Sequence, residues 1–126
     1  MRTDVADPGD AQVVNPASIL GQVGFANSPT YTAANHGVVG LTKTAALECG
    51  AQGVRINAVG LGFIHTAMIA ALEGDAAIEQ ALLRQHPIGR LGRAEEVAEL
   101  VSWLSWAKAS FVSGAYYPVD GGCLAR

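Results

Sequence analysis

Ser18 and Tyr31, 13 residues apart, are the pair whose types and spacing could do chemistry. A tyrosine can give or take a proton, and a serine hydroxyl can hold an oxygen by hydrogen bonding. With an ordinary pKa of about 10, a phenol is ionised roughly once per thousand at pH 7. As a base it needs a cation beside it to favour the charged form. One helical turn beyond Tyr31 on the same face stands Asn35, an amide with no charge to supply. Lys43 lies two turns further again, about 12 Å of rise, and His36 points about 100° away. Taken singly, Ser18 reads as a turn residue and Tyr31 as helix packing; only the spacing and the flanking residues raise them above that.

The other reactive residues carry less. Cys49 and Cys123 lack the spacing of a metal or redox pair and read as small hydrophobes or incidental thiols, and no metal site is expected. His65 and His86 fall in loop segments and read as solvated. Gly21, Gly24, Gly37 and Gly40 do not open a helix directly after a strand, so none forms a pyrophosphate-binding turn. Asp120-Gly121-Gly122 reads as turn chemistry.

The elements that must position Ser18 and Tyr31 alternate. Ala11 to Asn15 predicts a short strand, and Ser18 to Pro29 a Gly-punctuated loop. Pro29 to Gly50 predicts a long helix with Pro in its first turn and Gly at its end. Gly53 to Val59 reads as the next strand, and two strands joined through a helix imply a parallel pair. Leu61 to Ile64 is then a loop, Thr66 to Arg84 is mostly helical by composition, and Pro87, Gly89 and Gly92 break it. Val97, Leu100, Val101 and Leu104 repeat at helical spacing behind Glu95 and Glu96 in the first turn. Trp106 falls about 180° from Val97, so it marks either a frayed helix end or an exposed surface, and the frayed end is favoured. Ala115 to Val119 predicts a third strand. The fold class is therefore α/β: three parallel strands with flanking helices, half of a doubly wound sheet, whose ligands bind at the carboxyl ends of the strands.

The chain has 126 residues, half of them hydrophobic and 15% charged, with a net charge of -3. That balance suits one core-rich domain. Without a Lys/Arg cluster there is no electrostatic case for nucleic acid or an anionic membrane. No apolar run approaches the roughly 20 residues that span a bilayer. Met1 to Asp10 is polar, has no hydrophobic segment and is expected to be a disordered tail; the cytoplasm is the expected compartment.

An ordered set of segments now becomes informative. Asn15-Pro16-Ala17-Ser18-Ile19-Leu20-Gly21 resembles the serine segment of the classical short-chain dehydrogenase/reductases, and Tyr31 to Gly37 resembles their tyrosine helix. Arg55 to Val59 resembles the strand that follows, and Phe63-Ile64-His65-Thr66 the cofactor loop. Pro87 to Gly92 and Val119 to Gly122 complete the series. The resemblance runs from about Gln12 to Gly122 and covers the C-terminal half of such an enzyme, so residues 11–126 are expected to form a partial Rossmann-type domain lacking the N-terminal dinucleotide-binding half.

By that resemblance, Tyr31 is the acid/base and Ser18 holds and polarises the oxygen of an alcohol or ketone. Asn35 stands in the place of the family's lysine, where it can still bond a ribose hydroxyl. Gly62, Ile64 and Thr66 would meet the nicotinamide end of NAD or NADP, with Leu61 in place of a family proline loosening the loop. The expectation is an NAD(P)-dependent oxidoreductase fragment that neither binds its cofactor nor turns over alone. The alternative is a non-catalytic interaction subunit that pairs with a full-length relative through the Tyr31 helix, where Ala33, Ala34, Gly37 and Gly40 permit close approach. Either reading implies a homo- or hetero-oligomer, as does an apolar strand edge at Val13 and Val14. The substrate is not legible, since His65 to Arg84 corresponds to a segment that varies freely in the family.

Overall fold

The computed structural model describes residues 11–70 and 74–126. The tail expected over residues 1–10 lies outside the described residues. Three parallel strands, β1 (Ala11–Ser18), β2 (Val54–Leu61) and β3 (Tyr116–Val119), form a sheet in the order β1-β2-β3. Helix α1 (Pro29–Cys49) joins the first pair, and α2 (Ala67–Ala70), α3 (Ala76–Arg84) and α4 (Ala94–Leu104) lie between the second and third strands. This is the α/β arrangement that the sequence implies.

Position in the sheet explains the composition of each strand. The middle strand β2 is buried along six of its eight residues, from Arg55 to Gly60, as a parallel strand covered on both faces must be. β1 has a neighbour on one side only among the described residues, and Val13 on it is exposed. An edge also accommodates Pro16, which has no N–H to donate. β1 therefore continues three residues past the expected end at Asn15 and delivers Ser18 as its last residue.

Helix α1 starts with Pro29 at its N-terminus and gives way at Gly50. Asn27, just before it, adopts φ 67°, the left-handed region that asparagine tolerates better than most residues. The helix is fixed to the sheet by Val39, Asn35 and Thr42, all buried on one face. Thr42 Oγ1 accepts from Asn15 Nδ2 at 3.0 Å and donates to the Val38 carbonyl at 2.8 Å, so the buried hydroxyl is satisfied as acceptor and as donor.

The C-terminal end of α4 is held by a buried arginine. Arg55 Nη1 donates to the carbonyls of Leu104 and Ala109, each at 2.9 Å. A cation at a helix C-terminus meets both the orphan carbonyls and the negative end of the dipole. Asn57 does similar work beside it, donating to Val112 O at 2.9 Å and accepting from Ala115 N at 3.1 Å.

Of the finer expectations, that for His86 is overturned. Within the segment expected to be mostly helical, the described residues form α2 and α3, and Asp75 caps α3 by accepting from Ala77 N at 2.9 Å. Trp106 lies beyond the end of α4 and is also half exposed, with Lys108 Nζ 4.1 Å from its ring centroid. His86 is not solvated: it is 3% exposed, and its ring stands edge-on to Phe63. Cys123 is buried beside Ile19 and Leu20, as a small hydrophobe would be.

Candidate active site

β1 and β2 run in parallel and stop together, with Ser18 in register with Leu61. Whatever follows the two strands must therefore converge at one end of the sheet. There a cleft of about 480 Å³ opens, and Ser18, Tyr31, Gly62, Ile64 and Thr66 all line it. Asn35 does not. The remaining walls are mostly apolar, among them Leu20, Phe25, Phe63 and Ile69, and no charged side chain is among the described lining residues.

Ser18 is held on every side. Its backbone N–H donates to Asn35 Oδ1 at 2.8 Å, and its carbonyl accepts from the Tyr116 hydroxyl at 2.9 Å. Its Oγ caps the short turn Ile19–Gly21 by accepting from Leu20 N at 3.2 Å. A hydroxyl has one hydrogen to donate and two lone pairs. Oγ has accepted one bond, so its hydrogen remains available to an oxygen in the cleft.

Tyr31 is 57% exposed in the first turn of α1, with its side chain on the cleft wall. Asn35, 8% exposed, lies beneath, and its Nδ2 donates back to the Tyr31 carbonyl at 2.9 Å while its oxygen serves Ser18. The amide thus ties the serine segment to the tyrosine helix. His36 bonds the Thr32 carbonyl through Nδ1 at 2.9 Å, and neither His36 nor Lys43 lines the cleft. Among the described lining residues no cation stands where Asn35 gave up the charge.

The loop after β2 is tightly held, against the expectation that Leu61 loosens it. Gly62 N donates to Val119 O at 2.9 Å, and Phe63 N donates to His86 Nε2 at 3.2 Å. With Nδ1 of His86 directed at the Leu82 carbonyl at 2.8 Å, the two partners together define a neutral ring protonated at Nδ1. Ile64 then bridges Gly92, with Gly92 N donating to Phe63 O at 3.0 Å and His65 N to Gly92 O at 2.8 Å. Gly62 must be glycine, because a Cβ there would lie 2.8 Å from the Asp120 Cα. Thr66 Oγ1 accepts from Ile69 N at 3.4 Å at the start of α2.

Two residues matter here that sequence reasoning did not reach. Tyr116 touches Ser18 from 98 positions away, and no local pattern marks such a contact. Burial, with the charge of Asp120 adding to it, pushes the Tyr116 phenol up to about 12, so it stays a donor. His86 is the other. Its only signal was a histidine preceding Pro87 in a segment that resembles a family motif.

Among the described residues no group of three His, Cys, Asp or Glu side chains could hold a metal ion, and no helix is long and apolar enough to cross a membrane.

Comparison with known proteins finds relatives of one kind. The sequence model of a family described as enoyl-(acyl carrier protein) reductase matches residues 2–123. A cyclohexanol dehydrogenase of Acinetobacter sp. (strain SE19) is 50% identical over 113 residues, which are 90% of this chain and 43% of that protein. A proposed 2-deoxy-D-gluconate 3-dehydrogenase from Agrobacterium tumefaciens with bound NADP superposes with a TM-score of 0.88 at 48% identity, over 91% of this chain and 47% of that one. A 4-hydroxyisoleucine dehydrogenase complexed with NADH does so with a TM-score of 0.90 at 26% identity, over 93% and 48%. The chain spans less than half the length of each of these relatives.

Proposed function

The chain belongs to the short-chain dehydrogenase/reductase family, and on that premise we propose that its cleft is the substrate side of an NAD(P)-dependent oxidoreductase acting on a neutral alcohol or ketone. One observation carries the reading. Ser18 and Tyr31, brought from the end of β1 and the start of α1, share a cleft with the loop residues Gly62, Ile64 and Thr66, and no charged side chain is among its described lining residues.

In this reading the Ser18 hydroxyl donates to the substrate oxygen and draws electron density from the carbonyl carbon. The Tyr31 phenol then delivers a proton to that oxygen, or removes one in the oxidative direction. Gly62, Ile64 and Thr66 fit the nicotinamide end of NAD or NADP: the backbone at Gly62 is pinned to Val119, and Thr66 presents a hydroxyl. The cofactor, when bound, supplies or accepts the hydride at the substrate carbon. Apolar walls exclude water and favour an uncharged substrate, since an unpaired carboxylate there would lose its hydration. The resemblance to a cyclohexanol dehydrogenase makes an alicyclic alcohol the natural first probe.

These 126 residues do not turn over by themselves in our reading. Among the described residues no cation partners Tyr31, and no glycine-rich strand-turn-helix for a pyrophosphate occurs. Two titrations test the proposal. Cyclohexanone should bind about tenfold or more tighter than cyclohexanecarboxylate, and equal affinity would count against the uncharged cleft. Fluorescence titration with NADH and NADPH should show no tight binding; a micromolar complex would remove the claim that these residues alone lack a cofactor site.

A second reading has its own observation. The face of α1 turned from the sheet exposes Leu41 and Leu47, with open space over Gly37 and Gly40. That surface favours a non-catalytic subunit packing its Tyr31 helix on a full-length relative. Retention of such a relative on the immobilised chain, lost when Leu41 and Leu47 become lysine, supports this alternative, and no retention counts against it.

A further inference from the structure

We propose that Tyr116 is a positioning residue for Ser18: its hydroxyl crosses the middle strand over Gly60, holds the Ser18 carbonyl, and thereby fixes how the Ser18 hydroxyl is presented to the cleft. The inference rests on Ser18 being the group that holds the substrate oxygen.

The geometry starts with sheet order. Tyr116 belongs to β3 and pairs with Ala58 of β2, whereas Ser18 belongs to β1 on the far side. A side chain from β3 reaches β1 only by lying across β2. Its path passes Gly60, where a Cβ would overlap the Tyr116 hydroxyl and ring. Gly60 is not among the residues with positive φ, so space rather than backbone conformation requires glycine there. The missing methyl and the long phenol are two parts of one device.

The effect on Ser18 follows from which peptide each bond holds. The N–H that Asn35 accepts belongs to the peptide before the Ser18 Cα, and the carbonyl that Tyr116 bonds belongs to the peptide after it. Both planes are fixed by side chains from different elements, and with them the extended conformation of Ser18 at φ -117° and ψ 164°. The bond from Leu20 N to Oγ depends on that backbone geometry and selects the side-chain rotamer. A catalytic donor works only when held close to its productive geometry, and supporting hydrogen bonds provide that hold. The raised phenol pKa keeps Tyr116 protonated throughout the neutral and mildly alkaline range.

Tyr116→Phe keeps the ring and deletes the donor, so it tests the bond rather than the packing. In the labelled chain, the Hα–Hβ three-bond couplings of Ser18 should report one rotamer in the wild type and an average in Tyr116→Phe. Cyclohexanone affinity should fall about three- to tenfold in the same variant. Gly60→Ala, which displaces the phenol by a different route, should reproduce both changes. Tyr117→Phe removes a phenol from the same strand and should produce neither. Ser18 couplings that stay at the wild-type values in folded Tyr116→Phe and Gly60→Ala would overturn the proposal. Failure of the wild type to bind cyclohexanone sinks the reading of the cleft as a substrate site, and the couplings still decide whether Tyr116 positions Ser18.

Discussion

The amide oxygen of Asn35 accepts the backbone N–H of Ser18 at 2.8 Å, joining α1 to the end of β1. At the position where the family resemblance places a lysine, this chain has a buried strut between the two residues proposed to do the chemistry. Asn35 brings no charge to that position and makes a structural hydrogen bond instead.

Lysine cannot make that bond, because an ammonium has donors and no acceptor. Asn35→Lys should therefore leave the Ser18 N–H without its partner and cost about 1–3 kcal/mol of stability, read as a lower urea midpoint. The same variant should show no cyclohexanol oxidation with NAD or NADP. Unchanged stability would contradict the strut, and measurable turnover would contradict the claim that the charge at residue 35 is not the sole deficiency.

How far the sequence reached depends on the range of each interaction. The three parallel strands, the long helix and the convergence of Ser18, Tyr31, Gly62, Ile64 and Thr66 follow from periodicity, breakers and an ordered set of motifs, all local signals. Contacts between distant segments left no such trace. Tyr116 reaches Ser18 by crossing a strand, and His86 is buried because the loop after β2 folds back onto it. The use of the Asn35 amide was hidden for the same reason, since its partner lies 17 residues away in another element. Even the end of β1 depended on pairing with β2, which carried it past Pro16 to Ser18.

Tyr116 also sets a pH dependence. Its folded pKa of about 12 lies above the ordinary 10.0, so between those values the native chain holds a proton that the unfolded chain has released. Stability contributed by the neutral phenol is complete below about pH 10 and is lost as pH rises toward 12. The difference in melting temperature between wild type and Tyr116→Phe should narrow over that window. A difference independent of pH from 9 to about 12 would argue against a buried, donating phenol.

Glu96 acts at the other end of the scale. Arg90 bonds its carboxylate at 2.6 Å, and the Arg93 backbone N–H donates to it at 2.8 Å; together they lower it from the ordinary 4.5 to about 2. Stability from this pair is present above about pH 4.5 and disappears as pH falls toward 2. Because the group is exposed, the effect is small and should shrink further in salt. Glu96→Gln should flatten this part of the acid limb at low ionic strength; an identical limb in the variant counts against the assignment.

His86 should govern how firmly the loop after β2 is held. His86→Phe keeps an edge-on ring against Phe63 but removes the acceptor for the Phe63 N–H, so exchange of that amide should speed up by about tenfold. Unaltered exchange would mean that the loop is held by the Gly62 and Gly92 bonds alone.

The central claim is that the cleft between Ser18 and Tyr31 takes a neutral alcohol or ketone. Residue-resolved NMR titration of the 126-residue chain with cyclohexanone tests it most directly. The account predicts saturable shifts confined to Ser18, Tyr31, Gly62, Ile64, Thr66 and their neighbours, abolished by Ser18→Ala in a chain that remains folded. Saturation at another surface, or none at these residues, would contradict it.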